Sequence, residues 1–82
     1  MKLEEHRKRI DRIDEEILEL LEERVEEARK IGEEKRKAGK SVRDPTREDE
    51  VLEHVARSTK LEPSFAKKIF KLIVEYCRNE QN

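Results

Sequence analysis

The chain has 82 residues, half of them charged, with a formal net charge of −1. One small domain spanning residues 1–82 is the expectation from that length, and the balanced charge argues against a nucleic-acid binder, which carries a basic excess and aromatic stacking groups; here the aromatics are only Phe65, Phe70 and Tyr76. No apolar run reaches the roughly 18 residues of a membrane span, and the N-terminal MKLEEHRKRID has no apolar signal core, so a soluble cytoplasmic protein is expected.

Three predicted helices account for nearly the whole chain. The first runs from about Leu3 to Ala38, with apolar positions at Leu3, Ile10, Ile13, Ile17, Leu18, Leu20, Leu21, Val25, Ala28 and Ile31. Their three-four spacing is that of an amphipathic helix. Gly39 is a C-terminal stop signal. Gly32 lies inside the helix, costs about 1 kcal/mol relative to Ala, and suits a close approach by another backbone. The second helix starts at Asp44-Pro45, an N-cap followed by a residue tolerated at the first helical position. It continues through Val51, Leu52 and Val55 to about Thr59. The third starts near Glu62-Pro63-Ser64 and carries Phe65, Ala66, Ile69, Phe70, Leu72, Ile73, Val74 and Cys77 before fraying near Gln81. The connections are short, and no strand pattern or repeat interrupts this all-α reading.

The first helix is too long for its own chain. At 1.5 Å per residue it extends about 50–55 Å, whereas a compact chain of this size has a radius of gyration near 12 Å, about 30 Å across. Its apolar stripe runs the full length and needs a cover. A second copy packed antiparallel, giving an intertwined homodimer, is the simplest cover. The competing arrangement breaks the helix at Gly32 into a hairpin, but no turn signal accompanies that glycine.

Cations interrupt the stripe. Leu3, Ile10, Ile17, Ile31 and Ala38 recur at seven-residue steps, and Arg24 falls in that column; the adjacent column reads Arg7, Asp14, Leu21, Ala28, Lys35. A charge taken out of water costs several kcal/mol unless something pairs with it, and an anionic ligand would pair with both. Arg24 and Lys35 lie about 16 Å apart along nearly one face. Arg7 lies about 25 Å from Arg24, out of reach of a shared small ligand within one chain but within reach in an antiparallel dimer. Arg47 and Glu48 sit one turn before the inward Val51 and Leu52, beside the Asp44 cap, and Gln81 extends the stripe of Ile73 and Cys77. Four cations, a carboxylate and an amide suit a small dicarboxylate bearing a hydroxyl. The competing reading of each residue is a snorkelling side chain with only its stem inside. Arg24, in a nearly pure aliphatic column, resists that reading most.

The single Cys77 excludes an internal disulfide and a Cys-rich metal site, and His6 and His54 have no metal-ligand spacing. No metal or cofactor is expected.

Four stretches, in order and at matching separations, resemble the all-helical chorismate mutases of the AroQ class. They are RKRIDRIDEEILELLEER (Arg7 to Arg24), Gly32-Glu33-Glu34-Lys35, VRDPTRE (Val42 to Glu48), and Ile69-Phe70 with Ile73, Glu75 and Gln81. The resemblance covers essentially the whole chain. It implies that Arg24 and the partner subunit's Arg7 bind substrate carboxylates, that Lys35 contacts a carboxylate and the ether oxygen, and that Arg47 helps hold the anion. It further implies that Glu48 takes the ring hydroxyl near the Asp44 backbone, and that Gln81 donates to the ether oxygen. Cys77 stands at a substrate-contact position where some members have Ser. The implied reaction is the intramolecular rearrangement of chorismate to prephenate, on the route to phenylalanine and tyrosine. Three alternatives stay open at this point. One is an isochorismate pyruvate-lyase-like enzyme, against which Glu48 favours the mutase. A second is a non-catalytic helical dimer module whose cations bind an acidic partner. A third is an inactive or weakly active engineered copy of such an enzyme.

Overall fold

A computed structural model describes residues 2–81. It contains three helices and no strand among the described residues: α1, Lys2–Lys37; α2, Pro45–Ser58; and α3, Pro63–Glu80. α1 runs unbroken through Gly32, which removes the hairpin alternative.

The boundaries follow from local chemistry. α1 ends where Gly39 adopts φ 68°, the left-handed conformation that glycine takes without a Cβ penalty. The Lys40 N–H donates to the Lys35 carbonyl at 2.8 Å and the Gly39 N–H to the Arg36 carbonyl at 3.1 Å. This paired arrangement satisfies carbonyls that a helix end otherwise leaves free. α2 opens with Pro45 behind Asp44, whose side chain accepts from the Arg47 N–H at 3.1 Å. α3 opens with Pro63 after Glu62, which provides no side-chain cap. The turn between α2 and α3 is pinned by the Leu61 N–H donating to the Thr59 hydroxyl at 3.0 Å. At the end of α3, where fraying is expected, the Gln81 N–H donates to the Arg78 carbonyl at 3.1 Å.

α3 packs on both α1 and α2. The core is small: Ala28, Ala66, Val74 and Cys77 are the buried apolar side chains. Such a core is thin for a domain of this length, whose stability is a small difference between large terms. The apolar stripe of α1 is mostly outside it. Every described residue before Leu21 is exposed, including Ile10 (56%), Ile17 (49%) and Leu20 (63%). The chain is 57 Å long with a radius of gyration of 15.9 Å, well above the roughly 12 Å of a compact chain this size. The stripe that the sequence requires to be covered is therefore uncovered within one chain. The exposed faces carry short-range ion pairs such as Arg7–Glu4 at 3.0 Å and Lys30–Glu27 at 3.3 Å; exposed pairs of this kind contribute little stability.

Candidate active site

The C-terminal half of α1, the loop before α2, the first turns of α2 and the last turns of α3 enclose a cleft of about 190 Å³. Seven of the eight site residues expected from the sequence line it: Arg24 and Lys35 from α1, Asp44, Arg47 and Glu48 around the start of α2, and Cys77 and Gln81 from the end of α3. Arg7 does not. It lies far down α1, exposed, with its guanidinium on Glu4 at 3.0 Å. That is where it must lie if it serves another chain.

Each inward group has a physical hold. Arg24 is half-buried, and its Nη1 donates to Cys77 Sγ at 2.9 Å. Cys77 is 3% exposed, so it acts as the floor against which the guanidinium rests. Lys35 Nζ donates to the Val42 carbonyl at 2.9 Å, which ties the ammonium to the loop and holds it over the cleft. Glu48 Oε1 accepts from Arg78 Nη1 at 2.9 Å, with both side chains less than a quarter exposed. Arg47 sits at the rim, 68% exposed, and leans toward Glu50 at 3.6 Å. Gln81 Oε1 is buried and has no hydrogen-bond partner among the described residues. A buried amide oxygen without a partner costs free energy, and here it belongs to a side chain that lines the cleft.

The charges are unequal. Arg24, Lys35, Arg47 and Arg78 face Glu27, Asp44 and Glu48 across the lining. Each carboxylate is engaged: Glu48 with Arg78, Asp44 as the α2 cap, and Glu27 with Lys30 at 3.3 Å. Arg24 and Lys35 hold only a thiol and a carbonyl, and among the described residues neither has a carboxylate within 4.0 Å. Two half-buried cations with neutral partners leave positive charge at the cleft, an electrostatic setting that favours an anion there.

Arg78 was not singled out by the sequence reading. It follows Val74 by four residues and precedes Gln81 by three, so helical spacing alone puts it on the inward face. The Val42 carbonyl is a backbone group with no side-chain signature. A second, larger cavity of about 470 Å³ lies between α1 and α3, with an apolar lining that includes Leu18, Leu21, Val25, Leu72 and Tyr76. It continues the uncovered stripe, with Glu22 and Arg29 as its charged lining residues. Among the described residues no group of His, Cys, Asp and Glu could hold a metal ion, and no helix is long and apolar enough to cross a membrane.

Comparison with known proteins gives three results. The family model for chorismate mutase type II matches residues 6–82. The bifunctional chorismate mutase/prephenate dehydratase of Aquifex aeolicus is 53% identical over 58 residues, which is 71% of this chain and 16% of that protein. The chorismate mutase of Methanocaldococcus jannaschii is 35% identical over 78 residues, covering 92% of this chain and 79% of that protein.

Proposed function

The chain belongs to the chorismate mutase type II family, and on that premise we propose that it rearranges chorismate to prephenate in the cleft described above. The observation that carries the proposal is the pair of half-buried cations, Arg24 and Lys35, that have no carboxylate partner among the described residues. The substrate is a dianion with a ring hydroxyl and an ether oxygen. Arg24 receives one carboxylate. Lys35 donates to a carboxylate and to the ether oxygen. Arg47 closes the rim over the anion. Glu48, steadied through one oxygen by Arg78, accepts the ring hydroxyl through the other, beside the Asp44 backbone. Gln81 donates to the ether oxygen, and Cys77 supports Arg24 from below.

The reaction breaks the ether C–O bond and forms a C–C bond within one molecule, so no atom enters or leaves. Two effects lower its barrier. Holding the flexible enolpyruvyl arm over the ring removes the entropy of reaching a reactive conformer. Fixed donors at the ether oxygen meet negative charge as it develops there, in a cleft where they need not reorganise.

The functional unit is an antiparallel homodimer. The uncovered stripe on α1 and the apolar cavity beside it support this reading, because a second α1 would bury both. It would also deliver Arg7 of the partner subunit to the cleft. Four cations against three carboxylates leave one chain's cleft at +1; that arginine raises it to about +2, matching a dianion. The cleft of about 190 Å³ is smaller than the ~300 Å³ at which ligand pockets usually begin, as expected of a site with one wall missing.

No observation favours the lyase or the non-catalytic reading. The test is incubation of purified protein with chorismate, following its absorbance and identifying the product. Prephenate without free pyruvate is the expected result. No loss of chorismate, or release of pyruvate, contradicts the proposal.

A further inference from the structure

Gln81 occupies the last described position of the chain, just past the end of α3. A helix end leaves its final carbonyls without intrahelical partners and tends to fray. A side chain there makes a poor fixed donor unless something outside the helix holds it. Two residues of α1, one turn apart and therefore on one face, meet that need.

Gly32 is buried. A Cβ placed on it would lie 2.7 Å from the Gln81 carbonyl oxygen, 2.9 Å from its Cα and 2.9 Å from its Cβ. The backbone at Gln81 thus rests directly on the bare surface of α1. Arg36 Nη1, on the exposed side, then donates to that same Gln81 carbonyl, a charge-assisted bond to a group the helix cannot satisfy. On the outer flank Arg29 pairs with Glu80 at 3.1 Å, but this pair is exposed and weak. Gln81 Oε1, on the side chain that this backbone carries, is buried at the cleft.

We propose that Gly32 and Arg36 form a seat for the last turn of α3, and that this seat positions the Gln81 amide in the cleft. Both are positioning residues and touch no substrate. The catalytic half of the inference rests on the role given to Gln81 above; the structural half does not.

Three variants test it: Arg36→Met, Arg36→Lys and Gly32→Ala. In Gly32→Ala the Gln81 oxygen must withdraw by roughly 0.7 Å to reach ordinary contact at 3.4 Å. Ala is also the better helix former, so any loss there is not a loss of α1. The first readout is ¹⁵N relaxation at the Gln81 amide without ligand. Its order parameter should fall from about 0.85 to below about 0.6 in Arg36→Met, while Arg36→Lys, which keeps a cationic donor, should stay near the parent value. The second readout is kinetic. Displacing a reacting group by about 1 Å costs up to about a hundredfold, so Arg36→Met and Gly32→Ala should lose about ten- to a hundredfold in kcat, with KM within about threefold. In a Gln81→Ala background the same substitutions should change kcat by less than about twofold, because nothing is left to position. An unchanged Gln81 order parameter in both Arg36→Met and Gly32→Ala overturns the seat. Losses in kcat that multiply fully with Gln81→Ala overturn the positioning. The relaxation arm needs no chorismate, so it judges the seat whatever the substrate is.

Discussion

Lys35→Ala separates chemistry from folding more sharply than any other single change. Among the described residues Lys35 makes one side-chain bond, to the Val42 carbonyl at 2.9 Å, and has no carboxylate partner. Losing that charge-assisted bond costs about 1.5–3 kcal/mol. Removing a half-buried cation held only by a carbonyl offsets part of it. The net effect should lie within about 2 kcal/mol, a shift of no more than about 8–16 °C in melting temperature for a domain of this size. The kinetic effect is larger. A fixed donor at a developing oxyanion contributes about 2.7–4 kcal/mol, a hundred- to thousandfold in rate. The assay measures kcat and KM on chorismate beside thermal melting, with Lys35→Met included to retain the aliphatic stem. Both variants should stay folded, with melting shifts no larger than that, and lose at least about a hundredfold in kcat. Near-normal turnover, or activity lost only in step with unfolding, would refute the reasoning and leave Lys35 as a loop anchor.

The remaining predictions concern the pieces around it. Arg78→Met should raise KM and destabilise the fold by about 1.5–3 kcal/mol, the worth of a hydrogen bond to a charged group, because it strands a half-buried Glu48; adding Glu48→Gln should recover part of that stability in a double-mutant cycle. Cys77→Ser keeps an acceptor for Arg24 and should hold kcat/KM within about threefold, whereas Cys77→Val, which leaves the guanidinium without it, should lose about tenfold or more, the worth of roughly 1.5–3 kcal/mol. Ile17 is 49% exposed in one chain, where a polar substitution normally shifts stability by less than about 0.5 kcal/mol. If α1 is a dimer seam, Ile17→Glu should dissociate or unfold the protein in sedimentation and circular dichroism; an unaltered compact monomer would remove the dimer.

Much of this architecture was legible in the sequence because its signals are local. Asp44-Pro45 and Glu62-Pro63 mark helix starts by backbone chemistry alone, and Gly39 marks a stop because few other residues take φ 68° without strain. The cation columns located Arg24 and Lys35, since a charge in an aliphatic column is visible wherever the partner lies. Arg78 was harder. In a chain that is half charged, many cations fall inward by spacing, and only the contact with Glu48 distinguishes this one. The Val42 carbonyl and the seating of Gln81 on Gly32 depend on how α1 meets the loop and α3. Gly32 signalled a close approach, but which backbone approaches is a tertiary fact. The same holds for Arg7: its place on the helix is clear, and its proposed role depends on a second chain.

If each cleft is completed by an arginine from a second chain, mixing Arg7→Ala with Arg24→Ala chains shows it most directly. In a two-fold dimer each mixed pair holds one cleft with both arginines and one with neither. An equal mixture, after unfolding and reassembly, should therefore recover about one quarter of the parent activity per chain, from two variants that are each nearly inactive. Activity no greater than the average of the two variants, with mixed dimers shown to be present by mass spectrometry, would contradict the shared site.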